Sequence, residues 1–536
     1  MSKITSVISV LLFFSTLVSF GQTEVGELVR RKLENNLPGE SFRIGSLSLE
    51  YNSDIHRFYT EDNFQPVWFS GGKLNTSVRE YLKALEEIKY DGLFPEDYHF
   101  TQLSLFAQEV NLQEGRMADF ELLLTDSFFR LAHDLQEGKV DRSEFTEDWE
   151  IQRKVPRYNY SELLREIQEG QNPKIVLDRI DPDFRMYENG KKVIRRLYEF
   201  ADKAPADWKK LSVRGALKVG QKDKVVPEIR RRLAFWGLEE YDDSKGELFD
   251  STDMKIIMDF QKRNGMNSDG IIGKMTLERL NYSPMDLVDQ ARVNMERLRW
   301  LPDTVKDGPI VLVNIANYQV DFLYDLDTLL TERVIVGKKF HESPIFSADM
   351  SYIVFSPYWN IPYSITHNEI LPKARKDPGY IAEKNMEIVD RSGKVIPVSA
   401  VDWKSKSFPY SLRQKPGETN SLGLVKFIFP NNHSVYLHDT PARYLFEKEE
   451  RAMSHGCIRV ENPDKLAKVL LSEDPEWTDE KIYEAMHQST EKTVYLKNKI
   501  PVVLLYLTFW ADSKGQGHFR PDIYERDERL LTALKK

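Results

Sequence analysis

The spacing of apolar residues changes near Pro302, and this change constrains the architecture more than any other feature. From about residue 23 to 205, apolar positions recur at three- and four-residue steps, as Leu124, Phe128 and Leu131 do, which is typical of helices. After Pro302, short apolar runs rich in β-branched and aromatic residues are typical of strands. Because 536 residues exceed what one hydrophobic core usually organises, the sequence predicts several domains, helical first and mostly β last.

The composition is that of an ordinary globular protein. Apolar residues make up 41% of the chain and charged residues 30%, which is too apolar for disorder and too polar for many membrane spans. The formal net charge is only -9, and the sequence has no long basic run or aromatic-basic repeat. Nucleic acid is therefore not an expected partner.

Residues 1–21 have the pattern of a secretory signal peptide. Lys3 precedes an apolar run over residues 8–17, and the small residues Ser19 and Gly21 stand three and one positions before a plausible cleavage point. The run is shorter than the roughly 20 residues that a membrane-spanning helix needs, although an uncleaved anchor is the alternative. We therefore expect an exported, periplasmic protein.

Residues 23–205 predict a helical scaffold domain without evident chemistry. The aromatic residues Tyr59, Phe64 and Trp68, with the turn at 91–95, suit either a ligand-binding face or a hydrophobic core. Aromatic residues at such spacing more often form core, and we favour that interpretation.

A compact unit of three helices is predicted over residues 217–281. Its helices are expected at 225–233, 252–263 and 275–280. The run Phe260-Gln261-Lys262-Arg263, followed by Asp269-Gly270-Ile271-Ile272-Gly273, resembles the small peptidoglycan-binding module. That resemblance implies peptidoglycan as a ligand, whereas the helical pattern alone also allows a structural spacer.

Residues 284–302 predict an amphipathic helix that connects this unit to a sheet-based domain over residues 308–536. The expected buried face of the helix comprises Leu287, Ala291, Met295 and Leu298. The expected strands are 310–315, 318–324, 332–336, 352–355, 425–429, 434–437 and 500–510.

Two runs in the last domain carry reactive groups: Val435-Tyr436-Leu437-His438-Asp439-Thr440 and Ser454-His455-Gly456-Cys457-Ile458-Arg459-Val460. Cys457 is the only cysteine, and an idle thiol is a liability in an oxidising compartment, although a buried cysteine can also pack as a small hydrophobe. A catalytic thiol needs a base, because the thiolate is the nucleophile. His438, 19 positions earlier at the end of a predicted strand, suits that role.

The neighbours of these two residues fit the same chemistry. His438 needs an orienting group, which is the backbone carbonyl or the side chain of Asp439, and we favour the carbonyl. Gly456 allows its own amide and that of Cys457 to approach a developing oxyanion. Arg459 lies on the same side of an extended segment as Cys457, where it is expected to hold a substrate carboxylate, with a structural ion pair as the alternative.

These runs resemble the signature of the YkuD-type L,D-transpeptidase catalytic domain: a histidine, a spacer of this length, then Ser/Thr-His-Gly-Cys and an arginine or asparagine two residues on. The resemblance implies Cys457 as nucleophile, His438 as base and a mostly-β fold whose strands close around a narrow cleft. Asp439 and Gly456 complete the predicted catalytic set. The predicted substrate-binding residues are Ser454, His455, Arg459, Tyr436 and Trp359.

The resemblance extends to the large periplasmic, YcbB-like members of the family. Residues 355–362, 413–417 and 420–423 match the long form of the domain, apart from Ser356, where members often have asparagine. The insertion at 357–423 is expected to form a lid. The overall prediction is an α-helical scaffold, a three-helix peptidoglycan-binding module and a mostly-β L,D-transpeptidase domain with this lid.

For such an enzyme the resemblance implies a peptidoglycan stem tetrapeptide as acyl donor. Cys457 attacks the third residue, D-alanine leaves, and the thioester passes to an acceptor amine, whereas water as acceptor makes the enzyme an L,D-carboxypeptidase. The expected partners are peptidoglycan stem peptides, glycan and other cell-wall synthesis enzymes, with a role in wall biogenesis and cell shape. No metal or organic cofactor is expected.

Three other interpretations compete with this one. A zinc site at His438, His455 and Cys457 lacks an evident further ligand, because His433 stands at a different spacing. Papain-like peptidases place cysteine before histidine, and caspases separate the pair by about 50 residues. The rival from another class is a non-catalytic wall-binding scaffold with an inert cysteine domain.

Overall fold

The structure is a computed structural model that describes residues 24–36, 38–39, 41–109, 113–145, 149–151, 155–204, 208–235, 246–302, 308–325, 327–405 and 407–536. The predicted signal peptide lies outside these residues. The described residues form two compact units, one from those within 24–87, 95–133 and 158–180 and the other from those within 88–94, 134–157 and 181–536. In these described ranges, every helix is too short or too polar to cross a membrane.

Helices are found in both units. Over the described residues they are, in chain order, α1 Glu24–Glu34, α2 Asn52–Glu61, α3 Thr76–Glu87, α4 Phe100–Gln108, α5 Glu114–Glu137, α6 Tyr160–Gln168, α7 Pro173–Asp178, α8 Arg185–Lys203, α9 Val226–Phe235, α10 Ser251–Arg263, α11 Lys274–Leu280, α12 Pro284–Arg299, α13 Tyr363–Ile365, α14 Leu371–Ala374, α15 Gly379–Glu383, α16 Pro463–Leu470, α17 Asp479–Met486 and α18 Asp527–Leu534.

Strands concentrate in the carboxyl-terminal half. Over the same residues they are β1 Phe42–Ile44, β2 Leu47–Leu49, β3 Phe69–Ser70, β4 Lys73–Leu74, β5 Pro309–Asn314, β6 Gln319–Tyr324, β7 Asp327–Gly337, β8 Phe346–Phe355, β9 Trp359–Asn360, β10 Met386–Val389, β11 Val395–Ile396, β12 Ser411–Gln414, β13 Val425–Ile428, β14 Leu437–His438, β15 Ala452–Ser454, β16 Ile458–Val460, β17 Lys492–Leu505, β18 Phe509–Ala511 and β19 Gly517–Phe519. The predicted order of a helical half followed by a sheet-based half is confirmed.

The first unit is helical, with two small hairpins. Tyr59 and Trp68 are fully buried, and Tyr59 Oη donates to the buried carboxylate of Glu121 at 2.7 Å. Glu121 also accepts hydrogen bonds from the backbone amides of Val67 and Trp68. The core interpretation is therefore confirmed for these two aromatic residues, while Phe64 is half-buried.

In the second unit, α9, α10 and α11 begin and end within two residues of the predicted helices wherever both ends are described. Asp250 caps α10 through a capping box with Asp253. Asp253 also pairs with Arg230 at 2.6 Å, and both side chains are buried. The small unit thus contains its own ion pair beside an apolar cluster that includes Ile229, Ile257 and Leu280.

Helix α12 follows the predicted bounds but is buried far beyond its predicted face. Glu296 and Arg299 are both fully buried and form an ion pair at 2.6 Å. Glu296 accepts the amide of Val140, and Arg299 donates to the carbonyl of Asp91 and the hydroxyl of Tyr187. The predicted helix and its predicted apolar face are confirmed, and several of its charged side chains are buried as well, satisfied inside the core rather than by water.

The largest sheet over the described residues has nine strands, in the order β15-β7-β16-β14-β13-β8-β17-β5-β6. Because β6 also pairs with β7, the sheet closes on itself. The predicted run 500–510 divides into β17, which starts eight residues earlier, and β18. The predicted strand 434–437 is reduced to the two residues of β14.

The insertion at 357–423 forms a small sheet of its own, in the order β11-β10-β12-β9, with α13, α14 and α15. Its core includes Ile361, Ile388 and Leu412, and Trp359 and Trp403 pack against that core. The insertion is therefore a folded subdomain rather than an irregular loop.

Candidate active site

The parallel pairing of β14 with β16 brings the two predicted reactive runs together. His438 lies opposite Arg459 in this pairing, and Cys457 lies in the turn directly before β16. The thiol is half-buried, and its Sγ lies 3.8 Å from the carbonyl oxygen of Ser434. The thiol and the imidazole thus extend from adjacent strand ends.

Hydrogen bonds from a buried side chain stabilise the turn that carries the thiol. Gly456 has a φ of +113°, a region that favours glycine. Ser454 Oγ donates to the carbonyl of Cys457 at 2.6 Å and accepts the amide of Gly456 at 3.0 Å. The amide of Gly456 is thus directed at Ser454, and Ser454 is buried and supports the turn. The oxyanion role of Gly456 and the substrate-binding role of Ser454 stay predictions.

Two residues that the sequence did not single out complete this support. Ser343 Oγ donates to the carbonyl of Gly456 at 2.7 Å and accepts the amide of Gly337 at 2.9 Å. Tyr524 Oη accepts the amide of Ser343 at 3.2 Å and donates to the carbonyl of Gly337 at 2.5 Å. No local sequence signal marks either residue, because each acts across a long chain separation.

His438 is buried and oriented by a backbone carbonyl. Its Nδ1 donates to the carbonyl of Asp439 at 2.5 Å, as expected, which leaves Nε2 as the proton acceptor. Burial, followed by the positive charge of Arg459, lowers the pKa of His438 to about 3, although the carbonyls of Asp439 and Leu422 oppose this shift. The imidazole is therefore neutral near pH 7 and able to accept a proton.

The carboxylate of Asp439 has other partners. It accepts the amides of Leu424 and Thr440 at 2.8 and 2.6 Å and pairs with Arg443 at 2.6 Å. A Cβ added at Gly423 would lie 2.2 Å from this carboxylate. The carboxylate of Asp439 is therefore engaged by backbone amides and by Arg443, and the place of Asp439 among the catalytic residues stays a prediction.

The sulfur of Cys457 has neutral and positive neighbours. Burial raises the pKa of the thiol, while hydrogen bonding by Tyr436 and the charge of Arg459 lower it. Burial, and then Cys457 itself, raises the pKa of the Tyr436 hydroxyl. Tyr436, predicted as a substrate-binding residue, thus lies against the nucleophile itself.

Arg459 is half-buried beside the thiol, and its Nε has no hydrogen-bond partner in the part of the chain that the structure describes. Burial lowers its pKa, and Cys457 and Tyr444 partly offset that effect. Within the same residues no carboxylate forms a salt bridge with it. These observations favour a role in binding an anion over the alternative of a structural ion pair.

The remaining predicted residues lie further from the sulfur. His455 is exposed, stacks on His341 with 5.3 Å between ring centroids, and has its Nε2 3.5 Å from Glu369 of the insertion. Trp359 is half-buried and packs against the core of the insertion, and its assignment as a substrate-binding residue stays a prediction. In the described ranges no group of three or more histidine, cysteine, aspartate or glutamate side chains is arranged to hold a metal ion.

Comparison with known protein families assigns the regions of the chain. A scaffold domain model matches residues 53–193, a putative peptidoglycan binding domain model matches 222–280, and an L,D-transpeptidase catalytic domain model matches 308–490. Residues 308–490 are an L,D-transpeptidase catalytic domain. This domain contains His438, Cys457 and Ser343, whereas Tyr524 lies beyond its matched end.

Individual relatives are similar to parts of the chain. A putative L,D-transpeptidase from Haemophilus influenzae is 36% identical over 250 residues, which are 46% of this chain and 50% of the relative. The chain thus spans about half the length of that curated relative. An L,D-transpeptidase from Stackebrandtia nassauensis, known from a crystal structure, is 15% identical. The match covers 54% of this chain and 94% of that protein, with a TM-score of 0.21. A solved L,D-transpeptidase from Mycobacterium smegmatis is 12% identical, and the match covers 37% of this chain and 58% of that protein with a TM-score of 0.18.

Proposed function

We propose that this chain is a peptidoglycan L,D-transpeptidase whose nucleophile is Cys457. The observation that carries the proposal is the rigid turn that presents the thiol beside the strand end bearing neutral His438, within the L,D-transpeptidase domain. Ser454 accepts the amide of Gly456 and Ser343 donates to its carbonyl, so both backbone groups of Gly456 are fixed by hydrogen bonds. Such preorganisation is what a covalent mechanism requires.

The proposed reaction has two acyl-transfer steps. The thiol proton passes to Nε2 of His438 as the sulfur attacks the carbonyl of the third stem residue, and the bond to D-alanine breaks as its nitrogen takes that proton. The resulting thioester is attacked by the side-chain amine of an acceptor stem, whose proton passes to His438, and the sulfur leaves as the thiol. Each step conserves protons and needs no redox partner.

The shifted pKa values constrain the timing of proton transfer. Burial raises the pKa of Cys457 and lowers that of His438, so the resting pair is neutral rather than a thiolate–imidazolium pair. The proton must therefore move as the substrate binds and the carbonyl is attacked. In the proposed mechanism, the amide of Cys457 and the cation of Arg459 stabilise the negative charge that develops.

The test is product analysis with defined disaccharide tetrapeptides. The unmodified protein should form a dimer with loss of D-alanine, and Cys457→Ala should form none while keeping its thermal transition. A trimmed monomer without dimer indicates carboxypeptidase activity instead. Dimer formation by the folded Cys457→Ala variant would overturn the proposed nucleophile.

Export to the periplasm is a further part of the proposal. It is supported by the signal-like pattern of residues 1–21 and by the location of peptidoglycan outside the cytoplasmic membrane. Amino-terminal sequencing of the protein from fractionated cells tests it. A mature chain that begins just after Gly21 in the periplasmic fraction is expected, and an intact amino terminus in the cytoplasm contradicts it.

A further inference from the structure

Three side chains form a row across adjacent strands on the outer face of the nine-stranded sheet. Ile428 of β13 lies opposite Tyr352 of β8, and Tyr352 lies opposite Tyr495 of β17. Directly opposite residues of antiparallel strands project from the same face. The strand neighbours Phe427 and Ile353 are fully buried in the core, so the row itself faces outward. Two tyrosine rings are thus presented on the outside of the sheet.

This row continues to the nucleophile through Tyr436. His438 lies opposite Lys426 in the antiparallel pairing of β14 with β13. Tyr436 stands two residues before His438, and Ile428 stands two residues after Lys426, so the two belong to the same face at the same level of the sheet. Tyr436 in turn hydrogen-bonds the Cys457 thiol. One continuous face therefore leads from the sulfur to the tyrosine rings of β8 and β17.

The rings of Tyr352 and Tyr495 form an aromatic platform at the far end of this face. Their centroids lie 5.4 Å apart, and the ring planes are tilted by 47°. Tyr495 is 74% exposed, although covering an aromatic ring releases free energy. A tyrosine has an apolar ring face and a polar hydroxyl at its edge. A pyranose ring, with a face of C–H groups and a rim of hydroxyls, is complementary to such a platform.

We propose that this platform binds the sugar ring at the amino end of the donor stem whose third residue is held at Cys457. Adjacent strands lie about 4.8 Å apart, so along the sheet Tyr352 is about 14 Å and Tyr495 about 19 Å from the turn of Cys457. Three extended stem residues span about 10 Å, and the link to the sugar extends this reach. The inference rests on the proposed function, because that function defines the donor.

Length and charge favour the donor stem over the acceptor stem as the occupant. The acceptor reaches the thioester through its side-chain amine, so its sugar lies further from the sulfur by the length of that side chain. Arg459 and Lys426 lie on either side of His438 in the strand pairings and bring positive charge alongside the row, which suits the carboxylates of a stem. Glu491 lies 3.7 Å from Lys426 and offsets part of that charge. The protein therefore prefers donor stems that carry sugar to free stem peptides.

The test compares a disaccharide tetrapeptide with the free tetrapeptide of the same sequence as donors for the full chain. Release of D-alanine is followed, because its kcat/KM reports only the steps up to acylation. The unmodified chain should favour the disaccharide donor by about 3- to 10-fold, the factor that one stacked ring contact contributes. Tyr495→Leu should remove most of this preference and leave the free tetrapeptide unaffected. Tyr495→Phe retains the ring and should retain the preference.

The matched control is Tyr483→Leu, which changes a tyrosine of α17 that is also exposed and also stacks on one neighbouring ring, that of His487. It should leave both kcat/KM values unchanged. Equal values for the two donors, or a preference that Tyr495→Leu keeps, overturns the inference and leaves the proposed function intact. An equal loss on both donors in Tyr495→Leu, or a loss confined to dimer formation, overturns it too. Absence of D-alanine release from either donor by the unmodified chain refutes the proposed function and the inference together.

Discussion

Removing the hydroxyl of Ser343 should disable the nucleophile without changing any group that touches substrate. The side chain is fully buried and makes two hydrogen bonds, to the carbonyl of Gly456 and from the amide of Gly337. Ser343→Ala leaves both backbone groups without that partner. At about 1 to 2 kcal/mol for each, the free energy of unfolding should fall by about 2 to 4 kcal/mol.

The effect on the thiol follows from geometry. The carbonyl of Gly456 immediately precedes Cys457, so its release allows the turn to shift. A displacement near 1 Å costs about 10- to 100-fold in rate when the attack distance is critical. The assay is the rate of Cys457 acylation by a carbapenem, followed by intact-protein mass spectrometry at a temperature where the variant is folded.

Ser351→Ala is the matched control, because its side chain is half-buried and its hydroxyl, over the described residues, bonds only the carbonyl of Asp349 two residues away. It should change neither stability nor acylation. Tyr524→Phe should reproduce part of the Ser343→Ala defect, since it removes the hydroxyl that contacts both Ser343 and Gly337. A destabilised Ser343→Ala that acylates at the unmodified rate would refute the positioning argument.

Three further predictions concern titration and close packing. The pKa of His438 is about 3 in the folded state and 6.5 in the unfolded state, so the unfolded state binds more protons between these pH values. The free energy of unfolding should therefore fall as the pH drops from 6.5 to 3. His438→Gln should flatten that part of a pH-dependent denaturation series. Glu121 has the opposite dependence, because burial raises its pKa to about 7. The free energy of unfolding should fall by about 3 kcal/mol as the pH rises from 4.5 to 7. Glu121→Gln should remove this pH dependence. Gly423→Ala should lower the melting temperature and the acylation rate together, because its Cβ overlaps the Asp439 carboxylate and its φ is +61°; an unaltered melting temperature would contradict this.

The sequence predicted best those features that depend on residues close together in the chain. The helices of residues 217–281 follow caps and glycines that act within a few residues, as the capping box of Asp250 does. The carbonyl of Asp439 was predicted to orient His438 because a strand-end imidazole needs a nearby acceptor, and that contact is present. Cys457 was identified from its neighbours, since composition alone favours an inert thiol.

What the sequence did not reveal depends on contacts between distant residues. Ser343 and Tyr524 are 181 positions apart, and only the closed sheet brings both to the turn of Gly456. The burial of Glu296 and Arg299 likewise depends on partners from other segments, so their charges indicated a solvent-facing side that the fold does not have. The apolar face of α12 was predicted correctly, but an amphipathic pattern predicts exposure of the charged face only when those charges find no partner inside the fold.

The central claim is that Cys457 forms an acyl-enzyme with the donor stem, and trapping that species tests it most directly. The protein is mixed with a disaccharide tetrapeptide, quenched in acid within the first turnover, digested and mapped by mass spectrometry. The account predicts a thioester on the peptide containing Cys457, with a mass equal to the donor less D-alanine, and none in Cys457→Ala. Cross-linked product without an adduct on Cys457, or an adduct on another residue, would contradict it.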